Sequence, residues 1–114
     1  MEKEILKELP ACPVETTLTL ISDKWKVLIL RDLMLGTKRF GELKKSIGHV
    51  TPKVLTAQLR QMEESGLLTR KVYAEVPPRV EYTLTELGYS LKPVLDAMWA
   101  WGEGYKSRLE GKTE

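Results

Sequence analysis

Apolar positions along the chain keep helical spacing through the first two thirds and then change period. Val14, Leu18 and Ile21 recur at helical intervals behind Pro13, and Pro10 and Pro13 bracket Cys12. A short amino-terminal segment carrying Ile5, Leu6 and Leu9 is therefore expected to end at Pro10, with Cys12 as N-cap of a new helix and Pro13 in its first turn. Ser22 and Asp23 offer a second cap. Trp25, Leu28, Ile29 and Leu33 then form a core-facing stripe, and Gly36 supplies a left-handed stop. Phe40, Leu43 and Ile47 predict a third, short amphipathic helix ending at Gly48. The next helix has the clearest signals: Thr51 can cap it, Pro52 suits its first position, Leu55, Leu59 and Met62 share one face, and Gly66 ends it.

After Gly66 the period becomes two. Leu68, Arg70 and Val72 alternate with Thr69, Lys71 and Tyr73, and Val80, Tyr82 and Leu84 alternate with Glu81 and Thr83. These predict two strands. Ala74 to Arg79 contains Pro77-Pro78, which lack ladder donors, so it is assigned to the connecting loop. Thr85 is expected to cap a last long helical stretch with Leu91, Val94, Leu95, Met98, Trp101 and Tyr105 at helical spacing and a kink or break at Pro93. The expected fold is mainly α with a two-stranded β wing. Two helices joined by Gly48 to Val50, the second followed by a hairpin, have the order of a winged helix-turn-helix.

Length and composition narrow the picture. The chain has 114 residues, 42% hydrophobic and 30% charged, which suits one domain over residues 1–114 with a packed core. No stretch lacking Asp, Glu, Lys and Arg approaches the ~20 residues needed to span a bilayer, so no membrane role and a cytoplasmic location are expected. One cysteine and one histidine exclude an internal disulfide and a self-sufficient zinc site, and no cofactor is implied. The net charge is only +2, but residues 38–71 hold eight Lys/Arg against three Asp/Glu. A local basic surface on a nearly neutral protein suits a polyanion, because neutralised phosphates release condensed counterions; a merely solvated face is the simpler explanation of the charges taken singly.

Geometry favours the polyanion. Opposite the Leu55, Leu59 and Met62 face, the predicted helix carries Lys53, Ala57, Arg60 and Glu64, with Thr56 and Gln61 flanking. Thr51, Pro52, Lys53, Thr56, Ala57 and Arg60 are the candidate recognition-helix set, since Lys and Arg address guanine edges and Thr a thymine methyl or polar edge. Lys45, Arg70, Lys71 and Arg79 are candidate contacts to the DNA backbone.

The chain also resembles the HxlR family of bacterial winged-helix transcriptional regulators. Cys12-Pro13, Asp23-Lys24-Trp25, Arg39-Phe40-Gly41-Glu42-Leu43 and Thr51-Pro52-Lys53-Val54-Leu55-Thr56 follow the family's order. So do Glu63-Glu64-Ser65-Gly66-Leu67-Leu68 and the run Val76-Pro77-Pro78-Arg79-Val80-Glu81-Tyr82-Thr83-Leu84-Thr85-Glu86-Leu87-Gly88. The resemblance implies a homodimeric regulator of double-stranded DNA, with recognition helices in successive major grooves and wings on the flanking backbone. It adds Arg39 to the backbone set, places Lys71 and Arg79 near phosphates, and names no small-molecule effector.

Some residues admit sharper readings. Cys12 at a helix start is favoured as thiolate by the exposed amides, and family members that sense oxidants or electrophiles through such a cysteine point to sensing; a nearby Glu15 charge or burial would instead leave it inert. His49 reads as a turn residue and Trp25 as core. Ile5, Leu6, Leu9, Met98, Trp99, Trp101 and Tyr105 exceed what one small domain needs to cover, so residues 1–12 and about 86–110 are expected to dimerise; packing on the chain's own domain is the alternative. No Gly-rich phosphate loop, G-x-S-x-G or H-E-x-x-H motif is present, which speaks against an enzyme. A winged helix used for protein contacts without DNA is the competing function.

Overall fold

A computed structural model describes residues 8–112, the side chain of Lys112 excepted. Ile5 and Leu6 of the expected dimerisation set therefore lie outside the described residues. The elements in order are α1 (Pro13–Ile21), α2 (Lys24–Leu33), β1 (Lys38–Arg39), α3 (Phe40–Ile47), α4 (Pro52–Glu64), β2 (Leu68–Tyr73), β3 (Arg79–Leu84), α5 (Glu86–Tyr89) and α6 (Lys92–Lys112). The fold is mainly helical, with a small antiparallel sheet in the order β1-β3-β2.

The helices start where their side chains can satisfy free amides. The Asp23 carboxylate accepts from the Lys26 amide at 2.9 Å at the head of α2, and Thr51 Oγ1 accepts from the Val54 amide at 3.2 Å at the head of α4. At α3 the Arg39 amide donates to Glu42 Oε1 at 2.8 Å. Ile29, Leu30 and Leu33 of α2, Leu43 and Ile47 of α3, and Leu55, Leu59 and Met62 of α4 form the core, closed by Val50, Leu67, Leu68, Tyr82 and Leu84. Burying such side chains stabilises the fold by about 1.5–3 kcal/mol each. This packs α4 through one face and leaves the other outward.

Three features depart from the sequence expectation. First, Lys38 and Arg39 add a third strand against Tyr82 and Glu81 of β3; two residues are too few to show a period. Second, Arg79 is not in the loop but opens β3 opposite Tyr73. Third, the alternation in β2 does not become alternating burial: Leu68 is buried, while Val72 is exposed, because only the base of the hairpin lies on the core. The break expected at Pro93 is present, just ahead of it. Thr85 caps the four-residue α5, its Oγ1 accepting from the Gly88 amide at 3.1 Å, and α6 begins at Lys92 with Pro93 in its first turn, where no amide donor is required.

α6 is 21 residues long, about 32 Å at 1.5 Å per residue, and it leans on the core at its start, through Leu95 and the Leu91 that precedes it. The rest projects from the body. The radius of gyration is accordingly 16.5 Å, against roughly 13 Å for a compact chain of similar length. None of the helices among the described residues is long and apolar enough to cross a membrane.

Candidate nucleic-acid interface

The turn between α3 and α4 is fixed at both ends. Gly48 takes φ +87°, a conformation other residues adopt only with strain, and Val50 behind it is buried in the core. Thr51 and Pro52 then start α4 at the surface, and Lys53, Thr56, Ala57 and Arg60 are all exposed along its outer face. The recognition set derived from helical periodicity is thus one continuous surface. Among the described residues, Lys45, Lys53 and Arg60 make no ion pair, so their charges are not neutralised internally.

Four of the backbone-contact candidates border three separate surface hollows. Thr56, Arg60 and Arg70 border one shallow depression of about 110 Å³ beside Glu63 and Tyr82. Arg39 meets the wing tip, sharing a surface hollow of about 420 Å³ with Val76, Pro77 and Arg79. Lys45 stands apart on α3, in a hollow of about 490 Å³ that also includes Lys38 and Glu42. Arg70 lies 3.6 Å from Glu63, an exposed pair worth little in water.

The wing constrains its own cations. Arg79 stacks over the Tyr73 ring at 4.0 Å, and its guanidinium lies 3.4 Å from Glu75 and 3.6 Å from Glu81. Lys71 lies over the same ring at 4.9 Å. Two cations and one aromatic ring hold the wing strands' side chains in register, a cluster that the alternating pattern of β2 and β3 did not reveal.

Cys12 is the N-cap of α1, with φ −80° and ψ 121°, and its side chain is exposed. The sulfur makes no cap hydrogen bond of full geometry, yet the amide of Glu15, then that of Val14, holds the thiol below its ordinary pKa, against a smaller opposing effect of desolvation. Glu15 thus acts on the thiol through its amide, in the direction opposite to that expected from its charge. Leu9 is half-buried, whereas Met98, Trp99, Trp101 and Tyr105 are exposed, the rings of Trp101 and Tyr105 stacking at 5.5 Å. Val14 and Leu18 of α1 and Val94 and Leu109 of α6 are further exposed apolar side chains. Helical spacing alone could not separate these from core positions.

The order of elements, the outward α4 and the sheet with its wing are those of a winged helix-turn-helix, and the comparison with known proteins agrees. The model of the HxlR-like helix-turn-helix family matches residues 20–110. The chain belongs to that family. The HxlR-like relatives include YdeP of Bacillus subtilis (strain 168), named as an uncharacterized HTH-type transcriptional regulator, which is 48% identical over 103 residues, spanning 90% of this chain and 80% of the relative. Among solved structures, the redox regulator HypR in its reduced form superposes with a TM-score of 0.81 at 43% identity, covering 88% of this chain and 99% of that one. Quinone-bound YodB from B. subtilis superposes with a TM-score of 0.69 at 34% identity, covering 82% and 99%. As a member of the HxlR-like family, the chain is a DNA-binding transcriptional regulator.

Proposed function

We propose that the protein acts as a homodimer on an inverted-repeat operator and that Cys12 adjusts its affinity. The observation that carries the DNA reading is the uncovered outer face of α4, where Thr51, Pro52, Lys53, Thr56, Ala57 and Arg60 stand exposed on a helix whose other face is locked into the core. Lys53, Thr56 and Arg60 address base edges; Arg39, Lys45, Arg70, Lys71 and Arg79 contact phosphates. Residues 1–114 serve as one winged domain.

Dimerisation is supported by the apolar stripe Val94, Met98, Trp101, Tyr105 and Leu109 on the projecting α6, and by the exposed Val14 and Leu18 on α1. An exposed surface of this kind on a small domain calls for a partner, and a second copy supplies an equal surface under two-fold symmetry. Residues 1–12 and about 86–110 form that interface. Two-fold symmetry sets the recognition helices about 34–36 Å apart, one turn of duplex.

A redox response is supported by the exposed thiol with lowered pKa and by the similarity to HypR, solved as a redox regulator in oxidised and reduced forms, and to quinone-bound YodB. With one cysteine per chain, the chemistry open to Cys12 is limited. A quinone adds to the sulfur as an electrophile. Alternatively two Cys12 thiolates of a dimer join as a disulfide, passing two electrons to an oxidant such as diamide, which is reduced to its hydrazine form. Binding of the purified protein to duplexes selected from a random pool, before and after diamide or quinone, tests the whole reading: a selected inverted repeat and a treated protein of altered affinity support it, and the absence of any sequence preference contradicts it.

A further inference from the structure

Lys26 is the one lysine among the described residues whose side chain is almost wholly buried, 9% exposed. An ammonium in that position is costly unless paired and hydrogen-bonded. Its Nζ donates to Asp23 Oδ2 at 2.8 Å and to Gln61 Oε1 at 2.8 Å. Asp23 is fully used: Oδ1 caps α2 through the Lys26 amide while Oδ2 holds the ammonium. Gln61 belongs to α4 and follows Arg60 directly, on the flank of the outward face.

The neighbouring residue grips the other end of α4. The Trp25 ring stands 5.2 Å from the His49 ring, in the turn that leads into α4, and Lys24 lies over the Trp25 ring at 4.4 Å. Two consecutive residues, Trp25 and Lys26, therefore touch the entry turn of α4 and α4 itself at two places about 15 Å apart along the helix. The seam formed by Leu55, Leu59 and Met62 holds α4 to the body, but apolar contact is non-directional and leaves small rotations inexpensive. Hydrogen bonds to Gln61 have defined directions.

We propose that Asp23, Lys26 and Gln61 form a latch that sets the rotation of the recognition helix, so that Lys26 and Gln61 govern sequence discrimination without touching DNA. The inference rests on the reading of α4 as the recognition helix. Base contacts demand close placement of Lys53, Thr56 and Arg60, whereas phosphate attraction tolerates small rotations, so releasing the latch affects discrimination first. Asp23 and Lys26 are positioning residues in this scheme.

The test uses the duplex that the wild type selects from a random pool and a random duplex of equal length. Lys26→Met, a substitution that keeps an apolar stem and removes the charge, is expected to lower the ratio of selected to random affinity about tenfold, comparable to losing one base contact, with random-duplex affinity and salt slope unchanged. Gln61→Leu, at a site with little folding risk, should lower the ratio equally, and the double variant should lose no more than either. Gln61→Glu keeps an acceptor for Lys26 and should retain the ratio. An undiminished ratio in Gln61→Leu overturns the latch, as does a salt slope reduced in Lys26→Met, which would make Lys26 a phosphate contact. Equal losses on both duplexes with a lowered melting temperature overturn it in favour of plain stability. A wild type that selects no duplex refutes the reading of α4 itself, and the latch with it.

Discussion

The backbone of Gly88 lies directly against the carbonyl oxygen of Leu67, so a Cβ at residue 88 would have no room. The same joint is tied by Thr85, whose Oγ1 donates to the Gly66 carbonyl at 2.6 Å and whose amide donates to the Leu67 carbonyl at 3.0 Å. Gly66 and Leu67 follow α4, and Thr85 and Gly88 precede α6. The exit of α4, the proposed recognition helix, is thereby tied to the entry of the proposed dimer helix, which gives a change of subunit angle a route to the proposed reading face.

Gly88→Ala is expected to destabilise the protein by about 1–3 kcal/mol, the usual cost of forcing a methyl group into a filled site, because the obstacle is backbone that has no alternative rotamer. Chemical denaturation measures this. A variant as stable as the wild type would mean that the joint is looser than described.

Asp23→Asn should weaken the protein at neutral pH and alter its acid limb. Burial opposes the Asp23 charge, but the Lys26 side chain and amide together with the Trp25 amide hold the carboxyl below its ordinary pKa. A carboxyl lowered in the folded state contributes stability above its unfolded pKa and loses it as pH falls through the folded value. Loss of the cap oxygen in Asp23→Ala should cost about 0.5–2 kcal/mol, and in both variants the stability difference from wild type should shrink on acidification. A difference constant down to pH 2 would remove the charge from the account.

Arg60→Ala and Arg79→Ala should differ in kind. Removal of Arg60 is expected to cost about 1–3 kcal/mol on the selected duplex and to relax its sequence preference, while removal of Arg79 should weaken all duplexes more evenly and lower the salt slope by about 0.9. The ion pairs of Arg79 with Glu75 and Glu81 predict that Glu75→Gln strengthens binding to every duplex by freeing the guanidinium. Equal losses on selected and random DNA for Arg60→Ala would take it out of the reading set.

Long periodic segments were legible in the sequence because their signals repeat: Leu55, Leu59 and Met62 fixed the inward face of α4 and so the outward one. The N-caps at Asp23, Thr51 and Thr85 were legible too, since few side chains can accept from the free amides of a helix start, and the one at Cys12 was legible from the Pro13 that follows it. What stayed hidden depends on tertiary contact. β1 is two residues long and exists only because β3 lies beside it. Lys26 reads as a surface charge until the fold brings Gln61 to it across 35 positions, and Arg79 reads as a free cation until Tyr73, Glu75 and Glu81 surround it.

Cys12 should react as a thiolate at lower pH than an unfolded cysteine. The Glu15 and Val14 amides lower its pKa, so alkylation by iodoacetamide should reach half its limiting rate at a pH below that found for the urea-unfolded chain. Treatment with diamide or a quinone should then alter affinity for the selected duplex in the wild type and not in Cys12→Ser, with the melting profile retained. Unchanged wild-type affinity despite confirmed modification would leave Cys12 without a regulatory role.

The most direct test of the whole account is the mass, by sedimentation, of the complex formed with the duplex that the protein itself selects. Two chains on one duplex carrying an inverted repeat, its half-site centres about one helical turn apart, is the predicted result. One chain per duplex at micromolar protein, on a site without two-fold symmetry, would contradict it.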